Sequence, residues 1–239
     1  MPPLSTNQQR LYAIGDIHGR FDLLARLLAL IVTDAASYPE TPKQLIFLGD
    51  YIDRGSDSRS VMRCLIEDLP KDFTPFFLRG NHEQVLLDFL AGDDAILESW
   101  LYFGGTATLA SYGLNLYGQR TLSSASVREQ AKEKIPASHL DFLKQTLMNY
   151  AVGSYYFVHA GIRPGVPLAQ QSDQDKLWIR QEFLSSKADH GKMIIHGHTI
   201  SSHGPDIHPN RIGIDTGAYA TGKLTCLVVQ DSQQSFLST

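Results

Sequence analysis

The sequence is poor in cysteine, and it has no long apolar run. Cys64 and Cys226 are the only cysteines among 239 residues, and neither has a CxxC partner. This excludes a disulfide framework and a zinc knuckle, so we interpret both as small core residues. No run approaches the roughly 20 apolar residues that cross a bilayer, and no signal-peptide pattern opens the chain. We therefore expect a cytoplasmic protein with no membrane partner.

The charge composition argues against nucleic-acid binding. Lysine and arginine number 21 against 25 aspartate and glutamate residues, which gives a formal net charge of −4. A nucleic-acid partner needs a basic surface, and this balance does not provide one. The apolar fraction of 43% is enough for one sizeable core. We predict a single domain over residues 1–239, because α/β domains of this length are commonly undivided.

Three strand–loop–helix units open the chain. Each begins with a short apolar run and continues, after a loop, into apolar residues at helical spacing. The units are LYAIGD with FDLLARLLALIV, LIFLGD with RSVMRCLIEDL, and PFFLRGN with EQVLLDFLA. Repeated β-α units predict an α/β fold, in which functional loops gather at the carboxyl ends of the strands.

The rest of the chain divides into a helical and a strand-rich region. Residues 92–150 have a mostly helical pattern without a catalytic cluster, so we interpret them as a helical insertion or cap beside the site. Strand character returns in SYYFVHAG, KMIIHGHT, RIGIDTGA and KLTCLVVQ. Turn-rich stretches separate the last three, which predicts a second, mainly antiparallel layer.

Polar side chains follow the strand-like runs, at the ends where functional loops gather. They are Asp16 and His18 in GDIHG, Asp50 in GDYIDRG, Asn81 and His82 in RGNHE, His159 in FVHAG, and His198 in HGHT. An extended backbone would aim Asp16 and His18, two residues apart, to the same side. Carboxylate and imidazole donors together suit divalent metals, and this inventory is enough for two ions.

The spacing suggests how these donors divide between the ions. The GDIHG pair would hold one ion, and Asn81, His159 and His198 the other. Asp50 would bridge them, because a carboxylate has two oxygens. Two ions about 3.5–4 Å apart clamp a phosphoryl group and make a bound hydroxide available for direct attack. Mn²⁺, Fe²⁺, Zn²⁺ and Co²⁺ all accept this donor set, and we expect Mn²⁺ to support activity.

Acid catalysis and phosphate binding fall to other residues of the motifs. His82 directly follows a metal donor and would protonate the leaving oxygen as general acid. Asp53 would orient this imidazole and favour its protonated form. Arg54, Arg79 and Arg180 have guanidinium forks that match phosphoryl oxygens. For Arg79, a structural role is an equal alternative.

The remaining polar residues have weaker assignments. Histidines in polar or loop-like stretches are expected to face solvent: His139, His190, His203 and His208. For His196, packing or support of the metal site is favoured over metal ligation. For Asp215, support of the metal site and a structural role in a turn are equal alternatives. Glu83 is expected to cap or orient its loop. Trp178 is expected in the core or in a wall of the arginine site.

The motifs GDIHG, GDYIDRG, LRGNHE, HAG and HGHT resemble, in this order, the signatures of the phosphoprotein phosphatase family of metallophosphoesterases. The likeness covers about Leu11 to Thr225 and is greatest to the bacterial and bacteriophage lambda branch. It implies the calcineurin-like metallophosphoesterase fold, a sandwich of two β-sheets flanked by helices.

The resemblance also implies roles for single residues. The family's first metal would be held by Asp16, His18 and Asp50, and its second by Asp50, Asn81, His159 and His198. Its phosphate-binding arginine in DRG falls on Arg54, and the arginine of the lambda-like W-x-R segment falls on Arg180. Its acid pair falls on His82 and Asp53.

The second and third motifs bear on the substrate. Related bacterial diadenosine tetraphosphatases usually have alanine before the arginine of the second motif, and their third motif reads GNHD. This chain has Asp53 before that arginine, and its third motif reads GNHE with Glu83. This favours a serine/threonine protein phosphatase, with dual specificity for phosphotyrosine left open. The alternatives are a bis(5'-nucleosyl)-tetraphosphatase or other small phosphate-ester hydrolase, and a silent metal-binding interaction module. The last alternative is weakened, because a module that only binds metal would have no need of the acid pair His82 and Asp53 or of the phosphate-binding Arg54.

Overall fold

Two five-stranded β-sheets, packed face to face and flanked by helices, make up the computed structural model, which describes residues 4–116 and 123–239. The strands are β1 (Arg10–Ile14), β2 (Lys43–Phe47), β3 (Thr74–Phe77), β4 (Asn149–Val152), β5 (Tyr155–Val158), β6 (Met193–His196), β7 (Asp206–Ile207), β8 (Arg211–Gly213), β9 (Thr225–Gln230) and β10 (Gln233–Ser238). The predicted fold class is thereby confirmed.

The first sheet has the strand order β10-β9-β1-β2-β3, and its strands β1, β2 and β3 open the three β-α units predicted from sequence. Strand β1 pairs in parallel with β2, and β2 with β3. The helices that follow these strands are α1 (Phe21–Ala35), α2 (Ser58–Glu67) and α3 (Asn81–Ala91). Helix α2 starts where the Asp57 side chain accepts the backbone N–H of Ser60, and α3 ends at Gly92 in the left-handed conformation.

The second sheet differs from the expected antiparallel layer. Its order is β4-β5-β6-β8-β7, with β5, β6 and β8 parallel and only the outer strands antiparallel. The KLTCLVVQ strand, β9, lies instead in the first sheet, between β1 and β10. The expectation was wrong because an apolar run shows that a strand is buried without naming its partner.

Alternate residues of β1 belong to two different cores. Leu11 and Ala13 face the second sheet, and their core contains Phe157, Ile195 and other residues of β5, β6 and β8. Tyr12 and Ile14 face the helices, where they pack with the buried face of α1. Burying each large apolar side chain contributes about 1.5–3 kcal/mol, so these two cores fix the relative position of the sheets.

The described part of residues 92–150 consists of helices followed by a strand. The helices are α4 (Leu97–Trp100), a π-helical turn (Leu101–Gly105), α5 (Thr106–Ser111), α6 (Ser124–Lys134) and α7 (Ala137–Gln145). They share the core of α2 and α3. Strand β4 ends the region, where a helix was expected to continue. Residues 117–122 of the predicted insertion lie outside the described residues.

Short helices complete the second half of the chain. They are α8 (Asp173–Trp178), α9 (Gln181–Leu184) and α10 (Ala218–Thr221), with a 3-10 turn at Leu168–Gln170. Another 3-10 turn, Asp94–Ile96, lies in the first half of the chain. Among the described residues, no helix has the length and apolar character needed to cross a membrane.

His139 corrects one expectation about the surface. It was expected to face solvent, but it is buried in α7, and its Nδ1 lies 2.7 Å from the hydroxyl of Tyr112. His203 and His208 are exposed as expected. Cys64 and Cys226 are buried free thiols, as predicted.

Candidate two-metal active site

The carboxyl ends of strands from both sheets meet at one place and bring the predicted metal donors together. The six donors are Asp16 and His18 after β1, Asp50 after β2, Asn81 at the start of α3, His159 after β5 and His198 after β6. All six are buried.

Asp50 lies at the centre of the donors. Its Oδ2 is 3.4 Å from Nε2 of His18, and its Oδ1 is 3.5 Å from Nε2 of His159. Among the described residues, two groups of side chains have donor atoms within 4.8 Å of one another: His18, Asp50 and His82 form one, and Asp50, His159 and His198 the other, while Asp16 is in neither. Each oxygen of Asp50 therefore faces a different group, as a bridging carboxylate requires.

Backbone carbonyls orient two of the imidazoles. Nδ1 of His18 lies 2.8 Å from the carbonyl oxygen of Ile52, and Nδ1 of His159 lies 2.9 Å from that of Leu48. With the ring proton on Nδ1, each Nε2 keeps its lone pair for the site. Burial lowers the pKa of His18 to about 3 and also lowers the pKa of His159, so both rings are neutral near pH 7.

Asn81 connects the later donors. Its Oδ1 lies 2.9 Å from Nε2 of His159 and 2.9 Å from Nδ1 of His198. Burial lowers the pKa of His198 as well, so this imidazole is also in the neutral form that metals bind. The three donors thus form a compact set beside Oδ1 of Asp50.

Buried polar atoms without partners test whether divalent ions fit this site. Asp16 Oδ1, His18 Nε2 and His198 Nε2 have no hydrogen-bond partner among the described residues. Burial, and then the charges of Asp215 and Asp50, raise the pKa of Asp16, which shows how crowded the carboxylates are. Divalent cations would give these atoms partners and offset the carboxylate charge, so the donor set fits such ions.

The backbone of the site is strained at several positions. Five of its non-glycine residues have positive φ angles: His18, Asp50, Asp53, Arg54 and His198. Such residues cost of order 1–3 kcal/mol each and persist only where the surroundings enforce them. The extended backbone expected for Asp16 and His18 is therefore wrong, since a left-handed turn directs the His18 side chain.

Glu83 holds the loops after β2 and β3. Its carboxylate accepts the backbone N–H groups of Asp50 and Tyr51 at 2.8 Å and of Gly80 at 2.9 Å. A Cβ atom on Gly80 would collide with the Asp50 side chain, so this position requires glycine. The expected orienting role of Glu83 is confirmed, and the carboxylate sets the position of Asp50 without joining the metal donors.

His82 and Asp53 form a buried pair. Nδ1 of His82 lies 2.7 Å from Oδ2 of Asp53. Burial alone would lower the pKa of His82, but the charge of Asp50 and the hydrogen bond that the ring donates to Asp53 outweigh it and raise this pKa. The raised pKa favours the protonated imidazole, which is the form a general acid needs.

Two residues that hold Asp53 were missed by the sequence analysis. Trp100 donates its Nε1–H to Oδ2 of Asp53 at 2.9 Å, and Thr108 donates its hydroxyl to Oδ1 at 2.6 Å. Both belong to the region 92–150. The only signal was a tryptophan at an apolar helical position, which by itself predicts a core residue.

Arg54 and Arg180 line one cavity of about 320 Å³ together with His82. Nη2 of Arg54 lies 3.1 Å from Nε2 of His82, and its guanidinium stacks on the ring of Tyr219 at 4.6 Å. Arg180 donates from Nη1 to the carbonyl oxygen of His198 at 3.3 Å. Two guanidinium groups and the imidazole of His82 therefore face one space beside the candidate metal donors.

Arg79 lies apart from these arginines. Its guanidinium donates to Oγ1 of Thr146, to Oε1 of Gln84 and to the backbone carbonyls of Leu143 and Lys144. It does not line the cavity of the other two. These contacts favour the structural alternative over phosphate binding, since the guanidinium donors are already engaged.

Three further residues of the sequence analysis lie around the site. His196 is buried, and its Nδ1 lies 3.1 Å from the carbonyl oxygen of Gly197, outside both donor groups. Asp215 accepts the N–H of Gly217 at 2.9 Å, which is the turn role. Trp178 is 39% exposed and forms a wall of the arginine cavity.

Comparisons with known proteins agree with this architecture. The chain is 29% identical over 234 residues to serine/threonine-protein phosphatase 1 of Salmonella typhimurium, covering 94% of each chain. It is 26% identical over 230 residues to the asymmetrical bis(5'-nucleosyl)-tetraphosphatase PrpE of Oceanobacillus iheyensis, covering 89% of this chain and 85% of that protein. The crystal structure of a cold-active protein-tyrosine phosphatase of a Shewanella species has the same fold, with a TM-score of 0.60 at 14% identity, covering 100% of this chain and 82% of that one.

The family itself follows from a match along most of the chain. The model of the calcineurin-like phosphoesterase family matches residues 9–223, which include every donor described above. Hydrolysis of phosphate esters with divalent metals is the chemistry of this family. The chain belongs to the calcineurin-like phosphoesterases.

Proposed function

We propose that this chain is a two-metal protein phosphatase that hydrolyses the phosphate monoesters of phosphoserine and phosphothreonine, and also of phosphotyrosine. The observation that carries the proposal is the buried pair of His82 and Asp53 opening on a cavity with Arg54 and Arg180. A serine or threonine alkoxide is a poor leaving group, so its departure depends on a well-placed acid.

The metal donors complete the proposed mechanism. Asp16, His18 and Asp50 would hold one ion, and Asp50, Asn81, His159 and His198 the other. When bound, two divalent ions activate water for attack and stabilise charge on the phosphoryl group. Mn²⁺ suits the mixed oxygen and nitrogen donors, and we propose it as the supporting ion.

The protein's own groups orient the ester and supply a proton. Arg54 and Arg180 bind the phosphoryl oxygens through their guanidinium forks. His82 donates a proton from Nε2 to the leaving oxygen, while Asp53 keeps Nδ1 of the same ring engaged. Trp100 and Thr108 keep Asp53 itself in place.

A second candidate is a dinucleoside tetraphosphatase. It is supported by the relative from Oceanobacillus iheyensis, which carries that name at an identity close to that of the Salmonella phosphatase. In the hydrolysis of a dinucleoside tetraphosphate the leaving group is a nucleotide phosphate, which departs readily without being protonated. The dependence on His82 therefore separates the two functions.

The test compares initial rates, with Mn²⁺ supplied, on phosphoserine, phosphothreonine and phosphotyrosine peptides and on diadenosine tetraphosphate. We expect faster peptide hydrolysis and a roughly 10²- to 10⁴-fold loss for the peptides in His82→Asn. The same substitution at the exposed His208 is the matched control and should leave the rates unchanged. A preference for the dinucleotide, or equal loss on good and poor leaving groups, would contradict the protein phosphatase.

A further inference from the structure

The cavity that contains the acid and the arginines also has an aromatic part. Phe103 and Trp178 line the same space of about 320 Å³ as His82, Arg54 and Arg180. Small-molecule sites commonly combine apolar and aromatic walls with a few convergent polar groups. One end of this cavity can therefore bind phosphoryl oxygens, and the other can contact an apolar, planar group.

Phe103 and Trp178 are unusually accessible for large aromatic side chains. Phe103 is 58% exposed and Trp178 is 39% exposed, whereas the neighbouring Trp100 is 2% exposed and belongs to the core. Neither ring is needed to fill the interior. Exposed rings that line one cavity with polar groups are typical of a surface that binds a ligand.

The turn that carries Phe103 is fixed to the arginine site. The π-helical turn Leu101–Gly105 contains Gly104 at φ 121°, and the carbonyl of Gly104 accepts the backbone N–H of Arg54 at 3.3 Å. A Cβ atom on Gly104 would lie 2.5 Å from the backbone nitrogen of Arg54. Interruptions of this kind are frequent at functional sites. The position of Phe103 is thus coupled to that of the phosphate-binding arginine.

We propose that Phe103 and Trp178 form an aryl subsite, which takes the planar ring of an aryl phosphate monoester such as a phosphotyrosine side chain. The proposal rests on the proposed phosphatase function and adds the class of leaving group. The phosphoryl group contacts Arg54 and Arg180, the ester oxygen faces His82, and the ring packs against the aromatic walls.

The size of the cavity favours an aryl ester over a nucleotide base. A volume of about 320 Å³ lies near the lower end for small-molecule sites, which suits a phosphoryl group and one ring. In an aryl phosphate the ring is separated from phosphorus by a single oxygen, so both groups reach this cavity together. A nucleoside places its base beyond a ribose, which needs a longer site.

Phosphonates test this subsite without turnover. The binding constants of benzylphosphonate and of its ring-free counterpart methylphosphonate are measured by calorimetry on the full chain with Mn²⁺. We expect benzylphosphonate to bind on the order of tenfold more tightly, given the usual strength of aromatic contacts. The preference should disappear in Phe103→Ala. It should persist in the control Ile207→Ala, because Ile207 is 57% exposed, much like Phe103, and does not line the cavity.

Other outcomes separate the possibilities. Equal binding of the two phosphonates, or a preference that survives Phe103→Ala, overturns the aryl subsite. A preference for adenosine monophosphate over ribose 5-phosphate, with none for benzylphosphonate, overturns it in favour of a base-binding site. If the chain binds benzylphosphonate more tightly than methylphosphonate but hydrolyses no phosphate ester, the aryl subsite is supported and the proposed function is contradicted. The two failures are therefore distinguishable.

Discussion

The two sheets supply donors to one site but hold them in different ways. Loops of the first sheet, after β2 and β3, are tied together by Glu83, which is not a metal donor. In the second sheet, the backbone N–H of His198 is bound instead by the carboxylate of Asp16, a proposed metal ligand, at 2.9 Å. The first-sheet half of the site is thus held mainly by a residue outside the donor set, whereas the loop of His198 in the second-sheet half depends on a group that the ions would also hold.

The largest expected effect comes from the residue that joins these halves. Asp50→Asn removes the charge that faces both donor groups, so both ions should be lost together. Activity should fall roughly a thousandfold or more, because several kcal/mol of charge stabilisation disappear. Elemental analysis alongside kcat/KM measures this. Retention of one ion would show that Asp50 serves only one half of the site.

Trp100→Phe tests whether the region 92–150 supports the acid of the first sheet. Losing the hydrogen bond to Asp53 should lower kcat roughly tenfold on alkyl phosphates. This loss corresponds to the free energy of one hydrogen bond to a charged group. The loss on p-nitrophenyl phosphate, whose leaving group needs no proton, should be smaller. Leu97→Ala, in the same helix and core, is the control for stability alone. Equal losses on both substrates in Trp100→Phe would indicate a purely structural tryptophan.

Chelation of the metals tests, at single backbone amides, whether the loops of the two sheets depend differently on the ions. Removing the ions should speed hydrogen exchange at the N–H of His198 severalfold, since its acceptor Asp16 loses its own partner. The N–H groups of Asp50 and Tyr51 are bound to Glu83 and should change less. NMR-detected exchange measures all three. Equal acceleration would mean that the two halves are held in the same way.

The smallest effect concerns a residue outside both sheets. Burial lowers the pKa of His139 below its ordinary value of 6.5, so the native state binds fewer protons than the unfolded state. Its contribution to stability is complete above pH 6.5 and declines as the pH falls below that value. His139→Gln should flatten this dependence in urea unfolding between pH 5 and pH 8. An unchanged slope would show that His139 does not titrate in this way.

The first sheet was more predictable from sequence than the second for a physical reason. Each of its parallel strands is followed at once by the helix that covers it, so the apolar spacing of α1 identifies both elements. The second sheet has strands of two to four residues, joined by irregular segments. Strands this short are compatible with several partners, so neither their parallel pairing nor the position of β9 was visible in the sequence.

The donors of the site were predictable because each follows a strand within a few residues. The supports were not, because their contacts are distant along the chain and tertiary. Trp100 reaches Asp53 across 47 positions, and Arg79 is engaged by carbonyls more than 60 positions away. A motif gives the chemical type of a side chain but not the competing partners that occupy it. This is why the sequence left the phosphate-binding and structural roles of Arg79 as equal alternatives.

The position of β9 has a consequence for synthesis of the chain. Strand β1 has two neighbours, and one of them, β9, consists of residues that are translated more than 200 positions later. The opening β-α units therefore emerge from the ribosome with an unpaired strand edge, and they bind their missing neighbour only after more than 200 further residues have been translated. Contacts so distant in sequence are formed slowly. During that interval the exposed edge of β1 is the place where a nascent chain is most open to chaperones and to mispairing.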